Sequence, residues 1–167
     1  MKDEYIVDVR LIYAKALSPD KETGIYAMDM IPIDKDEETK LTSIGLLPAK
    51  RETGDLVSHA NLGFEGNVFR AKRKTTLKDG TILPPPIVTD SQSNPITMLL
   101  GHGTIARVFG TTYDWKMNGK SGVAAGFNRV QVIDLIPYTG KTVPTIKGGF
   151  VASNLPDAIE ETKDSII

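Results

Sequence analysis

Between residues 105 and 116 the chain alternates in a way that could do chemistry. On a continuous strand, Arg107, Phe109, Thr111, Tyr113 and Trp115 share one side. Ala106, Val108, Gly110, Thr112, Asp114 and Lys116 share the other. Aromatic rings beside a guanidinium suit stacking on unpaired bases, each stacked base contributing about 1–3 kcal/mol with no demand on its identity. The same side can instead be the core of a β-domain. Phe109 is expected in that core, and for Tyr113 and Trp115 both positions stay open.

A second stretch supplies charge. Residues 66–78 hold Arg70, Lys72, Arg73, Lys74 and Lys78 and no acid. On a strand, Arg70, Lys72 and Lys74 fall on one face and Arg73 on the other, with steps of roughly 6–7 Å along the row, close to the phosphate spacing of an extended single strand. Such cations also guard a strand edge against self-pairing. Lys120 and Arg129 flank a run of small residues and extend the cationic track, as does Lys116 at the end of the aromatic strand. The formal net charge is -1. That total hides an acidic segment at residues 151–167, where Asp157, Glu160, Glu161 and Asp164 face Lys163 alone. A basic stretch and an acidic end in one chain point to partner binding, and a flexible acidic segment can occupy a cationic groove by mimicking phosphate. A short terminal helix built on Ala158, Ile159 and Thr162 is the alternative for that end.

Catalytic and cofactor motifs fail on inspection. There is no cysteine and there are two histidines, which excludes thiol chemistry, a disulfide framework and a three-histidine metal site. Asn118-Gly119-Lys120-Ser121 has the ending of a phosphate-binding loop, but position 114 is aspartate where that loop needs glycine. Gly101-His102-Gly103-Thr104-Ile105-Ala106 fits a dinucleotide fingerprint. Residues 107–113, however, contain β-branched residues and Gly110 and offer no helix N-terminus to a pyrophosphate. His59 and His102 lie in loop-like contexts and are expected to be solvated. No enzymatic activity and no cofactor or metal is expected.

The elements that must position these residues are mostly strands. The chain has 167 residues, 40% hydrophobic and 25% charged, the size and mix of one globular domain. Residues 5–17 read as a strand with Val7, Val9, Leu11 and Tyr13 on one face, turning at residues 18–24 into an antiparallel strand at 25–33. A helix comes next, capped by Asp34, with Leu41, Ile44 and Leu47 at helical spacing and Pro48 ending it. Residues 49–65 are expected to be loop, 67–76 a third strand, 103–116 a long fourth and 127–137 a fifth. Residues 122–126 are expected to be a loop whose glycines, Gly122 and Gly126, permit positive φ and a close backbone approach. This pattern suits a mainly β fold, a five-stranded barrel of the OB type with one short helix after the first hairpin, and a bend or bulge at Gly110. A β-sandwich is the alternative. Residues 1–150 form the expected domain and 151–167 an irregular acidic tail. No apolar run reaches the roughly 20 residues of a membrane span, and no signal peptide is visible, so a cytoplasmic protein is expected.

Four segments carry a family resemblance: Arg10-Leu11-Ile12-Tyr13-Ala14; Asn67-Val68-Phe69-Arg70-Ala71-Lys72-Arg73-Lys74; Arg107 with Tyr113 and Trp115; and Gly122-Val123-Ala124-Ala125-Gly126-Phe127-Asn128-Arg129-Val130-Gln131 with Lys120 before it. Together they resemble the bacteriophage single-stranded DNA-binding proteins of the DUF2815 type, over roughly residues 5 to 137. The resemblance implies an OB-fold, binding of single-stranded DNA without sequence preference, and a role in phage replication and recombination in the host cytoplasm, without catalysis. It implies a DNA groove lined by Arg70, Lys72, Arg73, Lys74, Arg107, Tyr113 and Trp115, and self-association, a homodimer in the simplest case. Recruitment of phage replication proteins through the tail is a further expectation. The tail is only mildly acidic and ends Ser165-Ile166-Ile167, a departure from a long acidic run. A protein–protein interaction module without DNA binding is the alternative function.

Overall fold

The computed structural model describes residues 2–138; the expected domain boundary near residue 150 and the acidic tail lie outside them. Seven strands form one sheet: β1 (Glu4–Lys15), β2 (Ile25–Pro32), β3 (Phe69–Lys74), β4 (Ile87–Thr89), β5 (Thr104–Met117), β6 (Lys120–Gly126) and β7 (Arg129–Asp134). Their order is β1-β2-β3-β6-β5-β7-β4, and β1 also pairs with β5. The strands β1, β2, β3, β6 and β5 therefore close into a five-membered ring. Its last seam is short and parallel, Ala71 opposite Ala125 and Lys72 opposite Gly126. Strands β7 and β4 extend the sheet outside the ring.

Alternation drives the closure. Val7, Val9 and Leu11 of β1, Met28 and Met30 of β2, Phe69 and Ala71 of β3, and Ala106 and Val108 of β5 all point inward and are buried. The long β5 serves two partners along one edge, β7 at residues 105–109 and β6 at residues 112–117, while its other edge pairs with β1. The switch happens at Gly110. A side chain there would collide with Gly126 O and sit 2.6 Å from the Tyr5 hydroxyl. Tyr5 is the register partner of Gly110, and its ring fills the missing volume while its hydroxyl donates to Gly126 O at 2.7 Å. Gly110 thus serves close packing, and no register shift occurs at it; the irregularity of β5 lies between Ile105 and Ala106.

Several expectations need correction. The sheet has β6 where a glycine loop was expected, and Gly122 and Gly126 do not have positive φ. The turn before it is a two-residue hairpin at Asn118 (φ 52°) and Gly119 (φ 77°), the geometry an Asn-Gly pair favours. The helix α1 (Lys35–Thr42) has the expected cap, Asp34 accepting from Glu37 N at 2.9 Å. It stops well short of Pro48, because Gly45 (φ 95°) closes it, with Leu46 N–H bonded to Leu41 O and Gly45 N–H to Thr42 O. Leu47 is therefore exposed and off the helix. Residues 49–66 are held by backbone bonds to Val68 and Ala49, and they cover a second small core of Ile12, Ile31 and Val68 with Val57 and Phe64. Among the described residues no helix is long and apolar enough to cross a membrane.

The barrel seam can be tested in two ways. Gly110→Ala should cost about 3 kcal/mol through overpacking, which lowers Tm by roughly 10 °C in a thermal melt. Burial pushes the pKa of Tyr5 far above its ordinary 10.0. The folded state holds the neutral phenol while the unfolded chain ionises, so this contribution is complete below about pH 10 and declines as pH rises beyond it. Tyr5→Phe should flatten that alkaline decline and cost about 1 kcal/mol at pH 7 through the lost bond to Gly126 O, both read from denaturant titrations.

Candidate nucleic-acid interface

The outer faces of β2, β3 and β6 and the β5–β6 hairpin form a groove centred on Lys72, where three hollows meet. One, of about 430 Å³, runs toward the hairpin and is lined by Leu46, Leu47, Phe69, Arg70, Tyr113, Trp115, Lys116, Met117 and Val123–Ala125 among others. A second, of about 350 Å³, runs toward the barrel end past Ile25, Arg73, Lys74, Tyr113, Phe127 and Lys2. A third, of about 300 Å³, runs toward the β1–β2 turn past Ala27, Asp29, Arg70, Lys15 and Tyr13.

The strand parity that places these residues is uninterrupted from Thr104 to Tyr113. Thr104, Ala106, Val108, Gly110 and Thr112 are buried, and Arg107, Phe109, Thr111, Tyr113 and Trp115 face outward. Phe109 was expected in the core. It lies on the outer face instead, under the Arg129 guanidinium at 5.5 Å, because Gly110 and Thr112 hold the inward parity beside it. Trp115 is 40% exposed. It pairs with Gly122, and a Cβ at Gly122 would fall 2.7–2.8 Å from three indole atoms. The glycine is the seat of the ring: one part of the indole rests on bare backbone, and the rest meets solvent. Tyr113 is half-buried, and burial raises its pKa, so its hydroxyl stays neutral.

The cations divide into free and engaged. Lys72 and Lys74 are exposed on β3 beside Arg70, and Arg73 is on the opposite parity as expected. Arg70 donates through Nε to Asp29 Oδ1 at 2.8 Å, and the buried Asp29 carboxylate also meets His59 Nε2 at 2.8 Å. That bond raises the Arg70 pKa, so the guanidinium keeps its charge while part of its field is offset by Asp29. His59 is accordingly buried and bonded, against the expectation of a solvated loop histidine. Arg73 donates to Pro84 O at 3.0 and 2.8 Å and tethers the proline connector. Arg129 donates to Ser93 Oγ at 3.2 Å. Arg107 lies away from the three hollows and is clasped by Asp8 at 2.7 and 3.0 Å, a bond that also holds the Asp8 pKa below the usual carboxylate range. Lys116 and Lys120 stand exposed at the tip of the hairpin.

The structure therefore brings together Arg70, Lys72, Arg73, Lys74, Tyr113, Trp115 and Lys116, and it sets Lys120 at the hairpin tip. Arg107 and Arg129 sit elsewhere on β5 and β7. Sequence reasoning missed Lys2 and Lys15, which rim the hollows, and Asp29 and His59, which tune Arg70. Lys15 had a visible signal, its place beside the first turn; the Asp29–Arg70 pairing had none, since it depends on the register of β2 against β3. Among the described residues no group of three or more potential metal ligands occurs.

No family model and no curated protein matches the chain by sequence. Its fold is similar to that of solved structures. The structure of gp2.5, a single-stranded DNA-binding protein encoded by bacteriophage T7, superposes with a TM-score of 0.58 at 18% identity, over 92% of this chain and 100% of that one. The single-stranded DNA-binding protein from bacteriophage Enc34 matches with a TM-score of 0.53 at 15% identity, over 86% of this chain and 87% of that one. The same Enc34 protein in complex with single-stranded DNA matches at 0.52 and 15%, over 83% and 89%. The chain thus has an OB-like barrel of the architecture found in these phage proteins.

Proposed function

We propose that this protein binds single-stranded DNA without sequence preference and coats it during phage replication and recombination in the host cytoplasm, without catalysis. The observation that carries the reading is the indole of Trp115, seated on Gly122 and open to solvent, beside the cationic row of Arg70, Lys72 and Lys74. Bases stack on Trp115 and Tyr113, and phosphates meet Lys72, Lys74, Lys116 and Lys120, with Arg70 attenuated by Asp29. Arg73, Arg107 and Arg129 act mainly through the outer field, since each is engaged with protein. The fold likeness to phage proteins described as single-stranded DNA-binding supports the same reading. Membership of the DUF2815 type belongs to it, as do a domain over residues 1–150 with an acidic tail at 151–167, self-association, and recruitment of replication partners by that tail.

Anisotropy with oligo-dT against duplex of equal length tests the proposal. Preferential binding of the single strand is expected, and its absence overturns the reading in favour of a protein-docking module. The affinity should fall linearly in log[salt], with about -0.7 of slope per phosphate contact. The double variant Lys72→Ala with Lys74→Ala should lower the slope by about 1.4, and Arg107→Ala should change it less. Trp115→Ala should weaken binding roughly 5- to 150-fold with the slope unchanged, because stacking releases no counterions.

A further inference from the structure

Strand β1 breaks its own alternation at Tyr13. Leu11 points into the barrel and Ile12 into the second core under residues 49–66. A regular strand would then send Tyr13 into the barrel beside Val7, Val9 and Leu11, where sequence alternation had put it. Instead Tyr13 has φ 51°, the pairing of β1 with β2 shifts register between Ile12 and Lys15, and Tyr13 is 55% exposed while Ala14 packs on the core. A β-branched or aromatic residue in the left-handed region costs energy, and bulges of this kind re-aim a side chain. The outlier is held from two sides. His102 Nδ1 accepts the Tyr13 backbone N–H at 3.1 Å, and the rings of His102 and His59 pack against the phenol at 4.5 and 5.5 Å, inclined at 77° and 63°.

The expelled ring arrives at a specific place. Ile12 pairs with Asp29, and Asp29 pairs with Arg70, so Tyr13 stands beside a register row that leads across two strands to Arg70, roughly 10 Å away. The next row runs from Lys15 through Ala27 to Lys72. Tyr13 and Lys15 line the hollow that Arg70 and Lys72 also line. The combination is an exposed aromatic of fixed plane at one end of a cationic path whose other end is Trp115.

We propose that Tyr13 is a further base-stacking platform beyond Trp115 and Tyr113, so that a single strand runs from Trp115 on the β5–β6 hairpin, over Lys72 and Arg70, to Tyr13 beside the β1–β2 turn. This rests on the single-stranded DNA reading above. His59 and His102 are positioning residues for the ring, which gives the two histidines of the chain a role that catalysis does not supply.

The test uses the full chain with Tyr13→Gly and Tyr13→Phe. Glycine removes the ring while suiting the positive φ, so the variant should remain folded; phenylalanine keeps a ring of the same shape. Expected are a roughly 5- to 150-fold weaker affinity of Tyr13→Gly for oligo-dT with an unchanged salt slope, and less than about twofold loss for Tyr13→Phe. A second measurement needs no variant: the wild-type protein irradiated with oligo-dT carrying 5-iododeoxyuridine should yield a cross-linked peptide containing Tyr13. Folded Tyr13→Gly that binds like wild type overturns the proposal, as does equal loss in both variants. A cross-link confined to the Trp115 peptide also overturns it and leaves the broader reading standing. Failure of the wild-type protein to bind oligo-dT at all overturns both.

Discussion

The barrel depends on one crowded point, where Tyr5, Gly110 and Gly126 come together. Closing a five-stranded ring requires β5 to pass from β7 to β6 along one edge, and it requires β6 to reach β3 in a parallel pairing of only two residue pairs. Backbone of β6 approaches Gly110 more closely than a side chain there permits, since a Cβ would collide with Gly126 O, while a Cβ at Gly126 would meet Thr111 O at a tight 3.1 Å. The volume left by the missing side chain at Gly110 is filled from β1 by the Tyr5 ring, whose hydroxyl also satisfies Gly126 O. A ring held at that seam delivers β3 and the β5–β6 hairpin to the same surface, and the groove at Lys72 is the result.

The electrostatics of the groove are shaped by what is taken away as much as by what is present. Arg70, Lys72 and Lys74 form one row on β3, but a buried carboxylate stands behind Arg70 and none is bonded to Lys72 in this way. Arg73 and Arg107 are turned into structural fasteners by Pro84 O and Asp8. The ammonium groups are thus the ones that the proposed function assigns to phosphate, while the guanidiniums of Arg73 and Arg107 hold elements together. That division is what the proposed sequence-tolerant binding asks for, since a lysine is a point charge without a fixed hydrogen-bonding plane, and arginine's rigid fork is better matched to carboxylates and carbonyls.

Glycine and aromatic residues are paired in both halves of the molecule. Tyr5 covers Gly110 in the seam, and Trp115 covers Gly122 in the hairpin. The same device has opposite consequences because of depth. In the seam the ring is buried and the pair stabilises the barrel; at the hairpin the ring is supported on backbone and open to solvent. Spacing alone does not distinguish them, for Tyr5 and Trp115 each sit in an alternating strand.

Much of this was legible in the sequence. The hairpin of β1 and β2, the Asp34-capped helix, the long β5 and the cationic face of β3 come from local rules, because alternation, capping and turn chemistry act between residues a few positions apart. The separation of Arg70, Lys72 and Lys74 from Arg73 also needed only the two-residue period of a strand. What only the tertiary structure decided are the matters that depend on register and closure. Strand β6 was hidden because its glycines and alanines lack a strand's apolar pattern and acquire strand structure from β5 and β3 on either side. Phe109 went outward because ring closure fixed Gly110 and Thr112 inward. Arg70 met Asp29, and Arg107 met Asp8, because strands distant in sequence were laid in one register. Tyr13 left the core because β1 bulges there within its pairing to β2, the register shifting between Ile12 and Lys15. Local chemistry wrote the elements into the sequence, and the site was assembled by long-range pairing that no stretch of the chain carries by itself.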